Sequence, residues 1–568
     1  MTNNRIWWKS YGVELKDLDP KLFDVTLTDL MDAALKKHPE KPALIFMDHP
    51  ITFGQLDEFG NKFANMLLAH GFKKGDVVGI NLPNIPEYLI AWLGTLRAGC
   101  VCSGLSPLLS ADEMEHQIRD SKAKGLVTLD ISFETRVTAM ASRLPELDLI
   151  VAANVGDFLP KIKQVLGKLL KKLPTGKVSN IPGKTVYEFK NVIQGKAFSV
   201  VPPSVKITPD DVAYLMYTGG TTGVPKGAML THRNNAAEWL VSVHTTGWDK
   251  NSGTVLSGFP LFHIAGLAFS AISLYVNWTQ ILVPDPRNTD FICNAIKKYK
   301  PFLICNVPSL YYALMSNPKF KKIDHSHITQ CVSAASPFPP ESQRQLESII
   351  GAGKLIELYG MTELCGIAVI NPVRGAKKLG SVGIPLANTD IKLVDPATNK
   401  EVGIGEPGEL WVKSPMVMKG YFNNPEETRK ALDENGYMHT GDVMVQDADG
   451  YLSIVDRTKD MMIVSGFKVF STKIESILAR HEAVQAIATV GVPNPDKPGS
   501  ELVKAFVSIA PHHRLAGNKD AIVEDLTKFA KAHLAPFEAP KMWEIVDQLP
   551  LTSVGKIDKK ALRQQARK

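Results

Sequence analysis

The sequence predicts a multidomain α/β protein, and three observations carry that reading. Its 568 residues exceed what one hydrophobic core ordinarily organises. Residues 27–105 alternate helical with strand-like periodicity, which predicts mostly parallel strands with helices between them. From residue 380 to 418 the pattern turns to short strands broken by Gly and Pro, the mark of a small β-rich subdomain.

Taken in order, Leu30, Met31, Ala34 and Leu35 share one helical face. Residues 42–46 read as a strand, Ile51, Thr52 and Phe53 open another element, and Leu56, Phe59, Phe63 and Leu67 mark the helix behind it. Residues 76–82 read as a buried strand and 87–98 as a helix. Residues 159–173 set Leu159, Ile162, Val165, Leu166, Leu169, Leu170 and Leu173 on one helical stripe, with Lys161, Lys163, Lys168, Lys171 and Lys172 elsewhere on the wheel. Two readings stay open for it. It packs on the protein's own core with a solvated lysine face, the commoner case, or it lies on an anionic membrane surface. Residues 174–203, rich in Pro, Gly and Lys, read as a surface excursion. Strand and helix patterns then continue through 255–260, 265–275, 280–283 and 303–307. Short strands follow at 391–394 and 408–412, and after Asp456 comes a last unit of roughly 110 residues, typical of a small domain.

The net charge of +7 is modest for this length and spread along the chain, so it fits anionic small molecules or a membrane surface and does not imply nucleic acid. Six cysteines lie mostly in apolar segments without the paired spacing of a zinc site, which fits structural thiols in a reducing compartment. The first residues lack the basic start and apolar core of a signal peptide, and no apolar run reaches the roughly 18 residues needed to span a bilayer. A cytoplasmic protein is expected.

The chemistry begins at residues 217–232, YTGGTTGVPKGAMLTH. They follow an apolar run, residues 212–217, that reads as a buried strand. Gly219, Gly220 and Gly223 let the backbone approach an anion closely, Thr218, Thr221 and Thr222 add hydroxyl donors, and Lys226 adds a mobile positive charge. Gly-rich loops are often ordinary turns. This one is not a Walker A loop, because Pro225 precedes Lys226 and Gly227 follows it, where that pattern ends Gly-Lys-Ser/Thr.

The stretch resembles the signature loop of the adenylate-forming superfamily, which holds acyl-CoA synthetases, nonribosomal peptide adenylation domains and luciferases. Further segments carry the resemblance in family order, from the loop to Lys556. Residues 357–363, Glu357-Leu358-Tyr359-Gly360-Met361-Thr362-Glu363, match the segment with an aromatic at the adenine and a glutamate for magnesium, roles implied for Tyr359 and Glu363; Thr218 joins Glu363 at the metal, and Glu357, Leu358, Gly360 and Thr362 line the nucleotide. Residues 436–442 match the turn whose carboxylate, here Asp442, accepts from ribose hydroxyls, and residues 454–460 the motif in which Arg457 contacts ribose and phosphate and Lys459 is the hinge. Lys556 falls on the catalytic lysine of adenylation.

Two more matches lie by the acyl group. In residues 260–266 the resemblance makes His263 a gate or lining residue, with a core histidine as the alternative. In residues 333–337, Ala334 and Ala335 replace the family's glycines, with Ala335 and Ser336 against adenine, and the two methyl groups are expected to narrow the channel. Residues 464–470 match the loop lining the pantetheine tunnel, with Ser465, Gly466, Phe467 and Lys468 as lining residues; Lys468 and Ser471 depart from the usual Asn and Pro.

The resemblance implies a large N-terminal domain, 1–457, of two α/β subdomains and the β-rich subdomain, then a mobile α+β C-terminal domain, 458–568. It implies a carboxylic acid–CoA ligase that uses ATP, coenzyme A and magnesium in two steps. The last residues leave no room for a carrier domain, which favours free coenzyme A as thiol. The wording of the loop and the basic insertion resemble the bacterial fatty acyl-CoA ligases, so medium or long chains are expected. An aromatic carboxylate is the alternative substrate, and a non-catalytic nucleotide-binding relative the alternative of another class. Peripheral contact with the inner face of the membrane through 159–173, and a homodimer, complete the expectations.

Overall fold

The computed structural model describes residues 5–160, 163–164, 167, 173–218, 225–336, 338–465, 467–497, 500–510, 513, 517–551 and 557–566. The chain divides into two compact units. The first comprises Met1–Thr218, Pro225–Asp390 and Lys413–Leu432; the second includes Ile391–Val412 and Asp433–Lys568.

Two large sheets organise the first unit. One runs Ile384–Pro385, Val369–Ile370, Leu355–Tyr359, Gln330–Ser333, Leu303–Asn306, Thr254–Ser257, Thr279–Leu282, Pro42–Phe46, His49–Thr52, parallel except at its edges. The other runs Gly420–Tyr421, Lys226–Thr231, Val212–Thr218, Val101–Gly104, Val77–Asn81, Ala123–Leu129, Leu149–Ala153, Thr185–Glu188. In it Lys226–Thr231 is antiparallel to both of its neighbours and the remaining pairs are parallel. Helix Pro86–Arg97 is buried along its whole length, which is why its sequence shows no polar stripe. Helix Phe53–Ala69 begins where Thr52 and Gln55 exchange side-chain and backbone hydrogen bonds in a capping box, worth about 1 kcal/mol.

The α/β elements expected from the sequence are present at 42–46, 77–81, 86–97 and 264–275. The surface excursion at 174–203 is only partly one. Thr185–Glu188 adds an edge strand beside Leu149–Ala153, and Phe189–Gln194 is a helix that buries Phe189, Val192 and Ile193. Those apolar residues give the segment a face to bury despite the Pro and Gly around them. Of the stripe at 159–173, Leu159 and Leu173 are buried, and most of the rest lies outside the described residues. No helix among the described residues is long and apolar enough to cross a membrane. All six cysteines are buried and free.

The second unit contains the β-rich sheet, Asp390–Val394, Gly408–Lys413, Met438–Gln446, Leu452–Arg457, in that order. After the hairpin Met462–Val464 and Phe467–Val469 comes a three-stranded sheet, Val484–Pro493, Glu501–Ile509, Met542–Ile545, with helices Ser471–Leu478, Lys519–His533 and Lys559–Ala566. The β-rich sheet thus shares its compact unit with the C-terminal residues.

Glu238 in helix His232–Thr246 is fully buried. Burial pushes its carboxyl up to about 8, against the pull of the Ser242 hydroxyl, which donates to Oε1 at 3.2 Å. A carboxyl raised in the folded state contributes stability that is complete below the unfolded value of about 4.5 and is lost as pH rises through about 8. Between pH 5 and 8.5 the melting temperature of Glu238→Gln should therefore fall less steeply than that of the wild type. The difference is at most about 1.4 kcal/mol per pH unit, the value of one proton. Parallel profiles would rule the account out.

Candidate active site

In the first unit the two strands that flank the candidate phosphate loop form a hairpin. Val212–Thr218 pairs antiparallel with Lys226–Thr231 and sets Thr218 opposite Lys226. Gly219, Gly220, Thr221, Thr222 and Gly223 lie outside the described residues. At Gly227 a side chain would bring Cβ to 2.8 Å from Leu215 Cδ1 and force Leu215 to shift.

Lys226 has defined partners. Its Nζ is 2.6 Å from Glu427 Oε2 and 4.6 Å from the ring centroid of Tyr421. Glu427 is in the first turn of helix Pro425–Ala431, where Asn424 accepts from its backbone N–H. Lys226, and next Lys430, hold the Glu427 carboxyl down to about 2. The Tyr421 ring then reaches Glu363, its Oη donating to Glu363 Oε1 at 2.7 Å. Glu363 is buried in the turn Thr362–Leu364, and its carbonyl accepts from Met418 N at 2.8 Å. Lys226, Tyr421 and Glu363 thus form a continuous chain of contacts between a cation and a carboxylate.

Glu357, Leu358 and Tyr359 end the strand Leu355–Tyr359. Glu357 is buried and accepts from Gln343 Nε2; burial pushes its carboxyl up to about 8 while that hydrogen bond pulls it down. Gly360 is needed for close approach, because any side chain would collide with the Gly366 carbonyl. His263 is half-buried and caps helix Ile264–Tyr275, its Nδ1 accepting from Ala265 N at 3.2 Å. Ala334 is buried, whereas Ala335 is exposed, in a left-handed conformation at φ 72°. The methyl group at 334 is therefore interior and that at 335 lies at the surface.

The second unit brings Asp442 and Arg457 together. They face each other across Met438–Gln446 and Leu452–Arg457, with Asp442 Oδ1 3.3 Å from Arg457 Nε. Within that first strand Gly441, at φ 72°, precedes Asp442, and its N–H donates to Glu409 Oε1 at 2.9 Å. Lys459 is brought down to about 8, first by burial and then by Arg457. Ser465 has φ 52°, and Phe467 is exposed and stacks on Phe537 with centroids 4.5 Å apart. Lys468 Nζ lies 2.7 Å from Asp395 Oδ1. Gly466 and Lys556 lie outside the described residues; Leu551 and Ile557, which flank the latter's segment, pair antiparallel.

Sequence reasoning missed Tyr421, Glu427 and Gln343. A signal for Glu427 was present: Asn424-Pro425-Glu426-Glu427 spells a capped helix start, and a glutamate in that first turn is a ready counter-ion. Gln343 carried no such signal. The donor set suits a hard cation shared with phosphate oxygens, because Glu363 offers carboxylate oxygen and Thr218 a hydroxyl. Among the described residues no group of three or more His, Cys, Asp or Glu forms a cage that could hold a metal by itself.

Residues 31–422 match the family model described as AMP-binding enzyme, and residues 473–556 that of the AMP-binding enzyme C-terminal domain. The chain is 35% identical to a long-chain-fatty-acid–CoA ligase of Bacillus subtilis (strain 168), over 100% of this chain and 99% of the relative. It is 33% identical to a long-chain-fatty-acid–CoA ligase of Escherichia coli O157:H7, over 99% and 98%. Among solved structures it is similar to an anthranilate CoA ligase in complex with anthranoyl-AMP, with a TM-score of 0.82, 25% identity, and 97% and 99% of the two chains covered.

The ion pair of Lys226 with Glu427 predicts competition with anions. Glu427→Gln should tighten binding of inorganic pyrophosphate roughly two- to fivefold at low salt, the scale of a partly exposed ion pair. Added salt should shrink the gain. Calorimetric titration of both proteins checks this, and unchanged or weaker binding by the variant would refute it.

Proposed function

Because the chain belongs to the AMP-binding enzyme family, we propose that it is an ATP-dependent acid–CoA ligase acting on medium- or long-chain fatty acids. The observation that carries this is the full-length identity of 33–35% to two long-chain-fatty-acid–CoA ligases.

In this reading the carboxylate attacks the α-phosphorus of ATP, forming a C–O–P link to AMP and expelling pyrophosphate. The sulfur of coenzyme A then attacks the acyl carbon, giving a thioester, AMP and a proton. The first step converts an oxide leaving group into a stabilised one, and it depends on positioning and charge neutralisation. Lys226, Thr218 and the Thr/Gly loop residues 219–223 would bind the phosphates. Tyr359, with Glu357, Leu358, Gly360, Thr362, Ala335 and Ser336, would hold the adenine. Asp442 and Arg457 would bind the ribose, which their pairing on neighbouring strands supports. Magnesium, bound by Glu363 and Thr218, would neutralise phosphate charge. Lys556 would bridge the substrate carboxylate and the α-phosphate, and His263 would stand beside the acyl group. Thioester formation would follow rotation of the C-terminal domain, 458–568, about Lys459, bringing Ser465, Gly466, Phe467 and Lys468 to the pantetheine.

An aromatic carboxylate is the second reading, favoured by the likeness to the anthranilate CoA ligase. A non-catalytic relative is disfavoured, since Glu363, Asp442, Arg457 and Lys556 are all retained. Placement in the cytoplasm, membrane contact through 159–173 and a homodimer rest on the sequence and the resemblance alone.

The test is coenzyme A-dependent AMP formation with acids from acetate through octanoate and palmitate to benzoate. A maximum among octanoate and palmitate is expected; activity confined to benzoate would replace the substrate, and no AMP with any acid would sink the reading. Lys556→Ala should lose adenylation by roughly a hundredfold or more while thioesterification of supplied acyl-adenylate is largely spared. Equal loss of both half-reactions would refute the role given to Lys556.

A further inference from the structure

The geometry points to Tyr421 as a positioning residue that ties the metal-binding carboxylate to the phosphate-binding lysine. This rests on the reading of Glu363 and Lys226 given above. Tyr421 lies outside every motif that the sequence singled out.

Its backbone is fixed on two sides. Gly420–Tyr421 pairs antiparallel with Lys226–Thr231, setting Tyr421 opposite Ala228, and the neighbouring Phe422 N donates to Gly227 O at 2.8 Å. On the other side Tyr421 N donates to Thr428 Oγ1 at 2.9 Å, and that hydroxyl donates to Asn424 O. The strand that carries Lys226 and the helix that carries Glu427 therefore hold one residue between them, and its side chain is buried.

The two ends of that side chain do different work. The phenol O–H donates to Glu363 Oε1 at 2.7 Å, which orients the carboxylate that the proposed function assigns to the metal. The ring face carries the Lys226 ammonium, whose Nζ is 4.6 Å from the centroid. Glu363 would hold the metal and Lys226 the phosphates, so the neutralisation of phosphate charge would depend on the separation of these two side chains. Tyr421 supplies that separation through one rigid ring with two torsions. Glu363 has a second tie to the same segment, because Met418 N donates to its carbonyl.

The hydroxyl and the ring are separable by substitution. Tyr421→Phe keeps the ring under Lys226 and removes only the bond to Glu363. Tyr421→Leu removes both. The readout is the affinity of the full-length protein for ATP by calorimetry, measured in chelator and again at saturating magnesium; the ratio of the two is the metal's contribution.

Tyr421→Phe should leave metal-free ATP affinity unchanged and lower the ratio about tenfold, the usual cost of losing a hydrogen bond behind a metal ligand. Glu363→Gln should lower it at least as far, and the double variant no further than Glu363→Gln alone. Tyr421→Leu should in addition weaken metal-free binding. A purely packing role would depress both affinities of Tyr421→Phe together and keep the ratio. That result, or a ratio within about twofold of wild type, would overturn the proposal. So would a Glu363→Gln ratio equal to wild type, which would also remove the metal role of Glu363. A wild type with the full metal effect on ATP but no AMP formed from any acid would sink the ligase reading and leave Tyr421 in its place.

Discussion

The register of the hairpin Val212–Thr218 and Lys226–Thr231 is the constraint on which the first unit's chemistry depends. Thr218 opposite Lys226 pins both ends of the intervening Thr/Gly segment, and a slip of one residue would turn Lys226 to the other face. Burial resists the slip. Tyr214 and Leu215 are buried, with Leu230 on the partner strand, so displacing them would expose apolar surface at about 25 cal/mol per Å². Gly227 lies against Leu215, where a Cβ would come within 2.8 Å of Cδ1. Gly420–Tyr421 then adds a third strand on the same edge and inherits the alignment, which is how a residue nearly 200 positions from Lys226 comes to lie under its ammonium.

In the second unit Asp456 plays the organising part. Its carboxylate accepts from Arg457 N, from the N–H and hydroxyl of Ser471, and from Thr472 Oγ1, so the end of strand Leu452–Arg457 is tied to the start of helix Ser471–Leu478. Lys559 Nζ completes the cluster, donating to Ser471 Oγ at 2.6 Å and lying 2.8 Å from Glu475. The departures from the family pattern at 468 and 471 have local reasons here. A proline at 471 could not donate the N–H that Asp456 accepts, and the lysine at 468 finds Asp395 at the end of strand Asp390–Val394.

The sequence made legible what is local or periodic. Buried strands such as residues 77–81, the helix at 264–275 and the β-rich strands at 391–394 and 408–412 follow from hydrophobic spacing and turn residues, which need no tertiary information. The pairing of Asp442 with Arg457 was half legible: both residues were singled out, but their adjacency depends on the register of two strands. The helix start at Asn424–Glu427 could be read locally, but the pairing of Glu427 with Lys226 and that of Tyr421 with Glu363 could not, because they are contacts across 201 and 58 residues of chain. The excursion at 174–203 misled for the opposite reason. Its Pro and Gly dominate the composition, while four apolar residues within ten positions suffice for a strand and a short helix.

The alanines at 334 and 335 show how one substitution pattern divides into two physical effects. Ala334 follows the strand Gln330–Ser333 directly and is 3% exposed, so its methyl group lies in the interior. Ala335 is exposed and adopts the left-handed conformation, where an L side chain costs about 1–2 kcal/mol and glycine does not. Its methyl group therefore fills nothing and holds the backbone in a conformation that the surrounding structure must enforce. Such a residue is kept in place by its neighbours: the buried strand before it and Phe338, 3% exposed, after it leave the turn little room to relax. The turn beside the candidate adenine segment is therefore costlier to hold than with glycine, because the smaller unfolded-state entropy of alanine, about 0.4–1 kcal/mol, does not offset a left-handed conformation of about 1–2 kcal/mol.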